Sequence, residues 1–288
     1  MAKLTVLVGP PGSGKSTLAK TFKDMVYINQ DSQGKEGHKL LFHEALHAGK
    51  DIVVDRMNFN KAQRNIYLGS AKEHGYFTEI QVIHESNEVC TVRCFMRTDH
   101  ETVKTPKDAR KALDFFFKNY ERVDDNESDS VIRHWPSNKK PNAIICDLDG
   151  TLCNIDHRLH WVRNEKKNWP MFFAGIKNDT LNQWCADILS QLRSSYGLVM
   201  PVVLCSGRGQ EYVESTKAWL TGKDIFYDHL FMRFAGDHRP DHIIKEILLD
   251  FEILTRYTPY FIIDDRQQVV DMWRRRGFVC LQCAKGDF

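Results

Sequence analysis

The chain has 288 residues, 42% hydrophobic and 27% charged, enough apolar material for two cores and too much for a disordered or purely fibrous protein. Lys and Arg number 40 against 38 Asp and Glu, a net charge of +2, so no global field attracts polyanions and any such partner must be held by local basic patches. No apolar run approaches the ~20 residues that span a bilayer, so a membrane partner is not expected.

Met1–Val8 reads as a strand leading into a glycine loop, not as a signal peptide. Leu4–Val8 is a buried strand, followed by helix Ser16–Asp24, strand Val26–Asn29, helix His38–His47, strand Asp51–Asp55, helix Lys61–Gly75, strand Glu79–His84, and helices Val89–Met96 and Pro106–Arg122. Asp124–Asn142 breaks the alternation. It is acidic at first, then carries Pro136, Lys139, Lys140 and Pro141, and reads as a linker. A second series follows: strand Ala143–Asp147, helix Thr180–Tyr196, strand Pro201–Cys205, helix Glu211–Leu220, strand His229–Arg233, helix Ile243–Arg256, strand Tyr260–Ile263, helix Val269–Arg276 and strand Val279–Gln282. Strands alternating with helices imply parallel sheets covered on both faces. The expected architecture is α/β, with domains at 1–124 and 142–288 joined by residues 125–141. The eight cysteines are scattered, and the lone CxxC of Cys280 and Cys283 has no second pair or histidine after it. They read as reduced core thiols in a cytoplasmic protein rather than zinc or redox groups.

Gly9-Pro10-Pro11-Gly12-Ser13-Gly14-Lys15-Ser16-Thr17 matches G-x-x-x-x-G-K-[ST] between a strand and a helix. Glycines there let backbone N–H groups turn onto phosphate oxygens, and the helix adds the positive end of its dipole. Lys15 would bridge the β- and γ-phosphates of ATP or another NTP, and Ser16 would ligate Mg²⁺. Asp31, just after the second strand, could be the general base for an acceptor hydroxyl or simply a capping residue. Asp55, Arg56 and Asn58 end the third strand, at the crevice where such sheets bind ligands; Asp55 could orient Mg²⁺ or Lys15, and Arg56 and Asn58 could hold the acceptor's phosphate, or all three could cap a strand–helix turn. Arg93 and Arg97 share a helix face beside the polar stretch Thr98–Thr105, suited to clamping a phosphoryl group or to facing solvent.

Ala143–Leu152 places Asp147 and Asp149 on one face at the end of an apolar strand, with Gly150-Thr151 at the exit. This D-x-D-G-T-L run resembles the signature of the haloacid dehalogenase-like (HAD) phosphotransferases. The resemblance implies that Asp147 attacks phosphorus and that Asp149 protonates the leaving oxygen and then activates water. It implies Ser206 as a phosphate ligand and Lys245 as the neutralising cation. It also implies Mg²⁺ on Asp147, the Asp149 backbone carbonyl, Asp264 and Asp265.

Together the two halves resemble the bifunctional polynucleotide 5′-kinase/3′-phosphatases of T-even-type phages. The resemblance rests on Gly9–Thr17, Ile28–Asp31, the Arg93/Arg97 pair, Cys146–Leu152, Arg158, Ser206–Arg208, Gly236–Arg239, Lys245, Ile263–Val270, Met272–Arg275 and Gly286–Phe288. It implies a P-loop kinase domain and a HAD-like Rossmannoid phosphatase domain. These would phosphorylate 5′-OH ends of RNA or DNA and remove 3′-phosphates or 2′,3′-cyclic phosphates, in the cytoplasm of a bacterial or phage-infected host. Asp31 would be the base and Arg97 the γ-phosphate clamp, with Arg158, Arg208 and Arg266 at the phosphate or nucleic-acid surface. One departure is plain. The family's arginine three residues after the base aspartate is replaced by Gly34, and Arg56 is the residue placed to substitute for it. No K-x-D-G motif for nucleotidyl transfer occurs, so a separate RNA or DNA ligase is the expected partner; a homo-oligomer is left open. The competing reading is a small-metabolite kinase, acting on a nucleotide or sugar, fused to a HAD phosphatase.

Overall fold

The computed structural model describes residues 1–96, 105–137, 139–163, 165–195 and 200–286. The chain forms two compact units, Met1–Asn138 and Lys139–Phe288.

The first unit contains β1 (Lys3–Val8), α1 (Lys15–Ala19), β2 (Val26–Ile28), α2 (Gln30–Gln33), α3 (Gly37–His47), β3 (Ile52–Asp55), α4 (Lys61–Glu73), β4 (Phe77–Ile83), α5 (Asn87–Met96), α6 (Pro106–Asn119) and β5 (Ser130–His134). Its parallel sheet runs β2-β3-β1-β4-β5. The central strands are apolar on both faces because helices cover both, so Leu4, Val6, Val8, Ile52 and Val54 are all fully buried. Helix starts follow local chemistry. The Asn29, Asn60 and Thr105 side chains accept backbone N–H groups at the first turns of α2, α4 and α6, and Pro106 opens α6. Ala109, Leu113, Phe116 and Phe117 form the buried stripe of α6.

Two readings differ from the structure here. The helix expected over Ser16–Asp24 ends at Ala19. The segment expected as a linker holds β5, which pairs with β4 from Glu79↔Ser130 to Ile83↔His134. As an edge strand, β5 is only partly buried, so its sequence lacks the apolar run that marks β1 or β3.

The second unit contains β6 (Asn142–Cys146), β7 (Cys153–Asn154), α7 (His160–Arg163), α8 (Trp169–Ala174), β8 (Thr180–Leu181), α9 (Gln183–Ser195), β9 (Val202–Gly209), α10 (Val213–Gly222), β10 (His229–Arg233), α11 (Asp241–Leu248), β11 (Thr258–Asp264), α12 (Gln267–Arg275) and β12 (Cys280–Gln282). Its parallel sheet runs β10-β9-β6-β11-β12. The segment between β6 and α9 is the part that sequence patterning left blank. It is an insert of short elements tied together by the antiparallel β7–β8 pair. Thr180 and Leu181, expected to begin a helix, belong to that pair. The helix expected over Ile243–Arg256 is α-helical to Leu248 and continues as a buried π-helical turn, Leu249–Ile253. All eight cysteines are free thiols, and burial pushes Cys280 and Cys283 up to about 12. Among the described residues no helix is long and apolar enough to cross a membrane.

Candidate active sites

In the first unit the glycine loop joins β1 to α1. Gly9, Gly12 and Gly14 all have positive φ, and a Cβ on Gly12 would lie 2.6 Å from the Cys90 carbonyl oxygen of α5. That close approach, together with a φ of +82°, requires glycine. The Ser13 hydroxyl is buried inside the loop, while Ser16 and Thr17 are exposed at the start of α1. Lys15 Nζ donates to the Pro10 carbonyl at 2.8 Å. Arg93 donates to Gly12 O (3.3 Å) and pairs with Glu85 (3.0 Å), so one predicted arginine does reach the loop. Arg97 and residues 98–104 lie outside the described residues.

Asp55 ends β3 beside β1, the strand that feeds the loop, and is nearly fully buried. Its Oδ2 accepts from the Tyr27 hydroxyl at 2.7 Å. Burial and the adjacent Asp55 charge raise the Tyr27 hydroxyl above its usual value, and Tyr27 also hydrogen-bonds Ser16. Asn29 donates to the Asp55 carbonyl (3.1 Å) while its Oδ1 accepts the Asp31 N–H (2.9 Å). Ser16, Asp55 and Asp31 are thus linked through Tyr27 and Asn29. Those two residues were missed at the sequence level, although strand alternation puts them on one face of β2. Asn58, at φ 45°, is buried and donates to Leu7 O (2.8 Å), which braces β1. Arg56 donates to the Tyr67 hydroxyl at 2.8 Å. Gly34 ends α2 at φ +74°, a conformation that strains any side chain, which explains why an arginine is not accommodated there.

In the second unit Asp147 follows the central strand β6, flanked by β9 with Ser206 and β11 with Asp264. Asp147, Asp264 and Asp265 bring carboxylate oxygens within 4.8 Å of one another. Lys245, on α11 and 1% exposed, donates to Asp147 Oδ1 (2.6 Å) and Asp264 Oδ2 (2.9 Å). Trp273 Nε1 also donates to Asp264, at 3.1 Å. Burial pushes Asp147 well above the carboxylate range, Lys245 opposes this, and the neighbouring Asp264 and Asp265 add to it. Asp265 is pushed up to about 6 by burial and by Asp264. Three carboxyl groups beside one ammonium make an oxygen-only site, and a hard divalent cation there would favour their ionised forms.

Asp149 stands apart from that cluster. Arg158 Nη2 (2.5 Å) and Arg208 Nη2 (2.5 Å) meet its Oδ1, and Arg208 Nε meets Oδ2 at 2.9 Å. Burial alone would raise this carboxyl, but the Arg208 and Arg158 guanidiniums outweigh burial and hold it well below the usual range. The two arginines, expected at the phosphate or nucleic-acid surface, are at most 1% exposed. What fixes them is Asp179, which the sequence reading missed. This fully buried carboxylate accepts from Arg158 Nε (2.7 Å) and Nη2 (2.7 Å), Arg208 Nη2 (3.0 Å) and His157 Nε2 (2.9 Å). Asp149, Cys153 and Asp179 also cluster closely, but the two guanidiniums already neutralise these carboxylates, so they do not fit a metal. Ser206 is buried, and its Oγ accepts the Arg208 backbone N–H at 3.2 Å. Asp241, also missed, sits one helical turn before Lys245 (3.7 Å) and meets Arg233 (3.4 Å) and Arg266 (3.6 Å). The i,i+4 spacing to Lys245 was the signal available for it. A cavity of about 670 Å³ opens over Asp147 and Asp149, and Arg233, Arg239 and Arg266 are among its lining residues.

Comparison with known proteins bears on this arrangement. A protein of Autographa californica nuclear polyhedrosis virus, named as a bifunctional polynucleotide kinase/RNA ligase, is 25% identical over 303 residues, covering 94% of this chain and 41% of its own. One of Acanthamoeba polyphaga mimivirus, named as a bifunctional polynucleotide phosphatase/kinase, is 31% identical over 123 residues, covering 41% of this chain and 29% of its own. The chain therefore spans about two fifths or less of the length of these relatives. A chain in the structure of a Pnkp1/Rnl/Hen1 complex is 27% identical, with a TM-score of 0.45, covering 100% of this chain and 98% of its own. The family model described as the polynucleotide kinase PNKP phosphatase domain matches residues 141–288, the stretch that carries Asp147, Asp149, Lys245, Asp264 and Asp265. That match takes in just over half of the sequence, and the chain belongs to the polynucleotide kinase PNKP phosphatase domain family.

Proposed function

We propose that the chain heals broken nucleic-acid ends, transferring the γ-phosphate of an NTP to 5′-OH ends of RNA or DNA and removing 3′-phosphates. The observation that carries this reading is the Asp147–Lys245–Asp264–Asp265 constellation inside the PNKP phosphatase match.

In the phosphatase, Lys245 fixes one oxygen of Asp147 and balances its charge. An Asp147 oxygen attacks phosphorus, the bond from phosphorus to the ribose 3′ oxygen breaks, and that oxygen takes a proton from Asp149. Water then attacks the aspartyl phosphate, gives its proton to Asp149, and releases inorganic phosphate and free Asp147. Asp149 needs a proton for the first step although its arginine partners favour the carboxylate; an incoming phosphoryl dianion is a like charge that pushes it back up. Ser206 is positioned for a phosphoryl oxygen, and Arg266 for the strand's phosphates. Asp147, the Asp149 carbonyl, Asp264 and Asp265 would hold Mg²⁺, which when bound neutralises charge on the phosphoryl oxygens. Arg158 and Arg208 act by positioning Asp149 rather than by meeting the strand.

In the kinase, amides of Gly9–Thr17 and Lys15 bind the NTP phosphates, and Ser16 and Asp55 serve its Mg²⁺. Asp31 takes the proton of the 5′-OH. Arg93, which reaches Gly12 O, and Arg97, which lies outside the described residues, are the expected clamps on the transferring phosphoryl group. Arg56 stands near Asp55 for the acceptor. Sealing would need a ligase activity beyond these two sites, and the name of the Autographa californica nuclear polyhedrosis virus relative joins a polynucleotide kinase with an RNA ligase. The free thiols fit a reducing cytoplasm.

The test is an oligonucleotide with a 5′-OH and a 3′-phosphate, incubated with ATP and Mg²⁺, with both ends read in RNA and DNA forms. Lys15→Ala should lose 5′ phosphorylation alone, and Asp147→Asn should lose 3′ dephosphorylation alone. Better turnover of free nucleosides and nucleotides than of oligonucleotide ends would refute the reading in favour of a small-metabolite enzyme.

A further inference from the structure

The cavity over Asp147 and Asp149 is lined by two unlike groups of side chains: charged ones, among them Arg233, Arg239, Arg266, Asp237 and Asp241, and an aromatic wall. The aromatic wall is built by the insert between β7 and β8 together with Tyr212, just before α10. Trp169 and Phe173 stack with centroids 5.9 Å apart and planes at 24°, and Phe173 meets Tyr212 at 4.5 Å and 31°. The wall is anchored at its base. Phe172 is 1% exposed, packs edge-on against both Trp169 and Phe173, and lies 4.0 Å from the Arg158 guanidinium that grips Asp149. Its upper edge is open. Trp169 is 38% exposed, with the Lys167 ammonium 5.6 Å from its ring. The Asn168 side chain caps α8 by accepting the Met171 N–H, and Pro170 stiffens its first turn, so the indole is held at the rim by local chemistry.

Phosphoryl transfer has no use for this wall. The scissile phosphate calls on carboxylates, Lys245, Ser206 and a cation rather than on ring faces. An exposed indole beside them is surface the chain leaves unburied. The cavity volume lies within the range of about 300–1,000 Å³ that holds whole small molecules, well beyond a bare phosphate. Aromatic rings lining the same cavity as Asp147 and Asp149 match the layout of a 3′-nucleotide, whose base projects from the sugar that bears the scissile group. Stacking is tolerant of base identity, because every base has a π face.

We propose that Trp169, Phe173 and Tyr212 form the platform on which the base of the 3′-terminal nucleotide stacks, so that this site selects a base-bearing 3′-phosphate over a bare phosphate ester. The proposal rests on the 3′-phosphatase reading above. It assigns the insert a role in choosing substrate rather than in chemistry, and it places the determinant on the terminal nucleotide itself.

The test uses the full chain with Mg²⁺ and three substrates: a 3′-phosphorylated strand with a normal terminal base, the same strand with an abasic terminal residue, and p-nitrophenyl phosphate. The wild type should favour the base-bearing strand over the abasic one by about 5- to 150-fold, mostly in KM, the range for one base on an aromatic platform. Trp169→Leu and Phe173→Leu keep apolar bulk and remove a π face, and each should shrink that preference. Separately, 2-aminopurine as the terminal base should be quenched on binding to Asp147→Asn, and less so when Trp169→Leu is added. A wild type that treats base-bearing and abasic strands alike, or a terminal 2-aminopurine that is not quenched, overturns the platform. These two measurements decide the matter even if the leucine variants do not fold. A wild type that hydrolyses the aryl ester but neither strand overturns the 3′-phosphatase reading instead, and the quench then tests the stacking by itself.

Discussion

Asp179→Asn is the substitution with the largest consequence per atom changed. It replaces one oxygen by an NH₂ group and removes one charge. The wild-type carboxylate is fully buried and takes hydrogen bonds from Arg158, Arg208 and His157 at 2.7–3.0 Å. In the variant two guanidiniums, each at most 1% exposed, share the single charge of Asp149. The new amide can also present a donor to those donors. Breaking one partner of a buried ion network costs about 3–5 kcal/mol. For a unit of this size, about 2–4 °C of melting temperature accompanies each kcal/mol, so the transition of the second unit should fall by about 6–20 °C. The assay is thermal melting of the full chain, with the Asp147→Asn protein as a control for a charge removed at the catalytic floor. Below the lowered transition, 3′-phosphatase activity should still be strongly reduced, because Arg158 and Arg208 no longer hold Asp149 in place, while 5′-kinase activity should persist. An Asp179→Asn protein that melts within about 1 °C of wild type and retains its phosphatase would refute the claim that this carboxylate organises the arginines.

Two further outcomes follow from the geometry. Gly12→Ala would place a Cβ 2.6 Å from the Cys90 carbonyl at a φ of +82°; strain of about 1–3 kcal/mol is expected, with loss of NTP binding by titration calorimetry, and normal NTP affinity would show that the loop yields freely. Acid stability should depend on Asp149, whose carboxyl is held low by Arg208 and Arg158 against the opposing effect of burial. In the unfolded chain it takes a proton near about pH 4, so its stabilising contribution is full above that pH and is lost as pH falls toward the lower folded value. Urea unfolding between pH 5 and 3 should therefore show a shallower decline of stability in Asp149→Asn than in wild type, and equal slopes would argue against the paired carboxylate.

The glycine loop and the D-x-D-G-T run were legible because their chemistry is local. A strand, a glycine turn and a helix fix where Lys15, Ser16 and Asp147 point, whatever surrounds them. The alternation of strands and helices likewise gave two parallel sheets, since burial on both faces forces continuous apolar runs in β1, β3 and β6. Strand β5 was taken for part of a linker because an edge strand is only partly buried and carries no such run. The partners of the catalytic residues belong to a different class. Asp179 is separated from Asp149 by thirty positions and from Arg208 by twenty-nine, and nothing in its own neighbours marks it as the residue that seats both arginines. Arg158 and Arg208 look like surface cations in the sequence because charge alone does not reveal burial, and only the closure of the insert over β6 and β9 sinks them beneath the site. The aromatic wall is the same case. Trp169, Phe173 and Tyr212 are ordinary apolar residues of two separate segments until the fold stacks their rings beside Asp147. The sequence determined where the glycine loop and the paired aspartates sit, through short-range backbone geometry; tertiary structure decided which charges are neutralised and which side chains line the cavity, because burial and long-range pairing exist only once the sheets have packed.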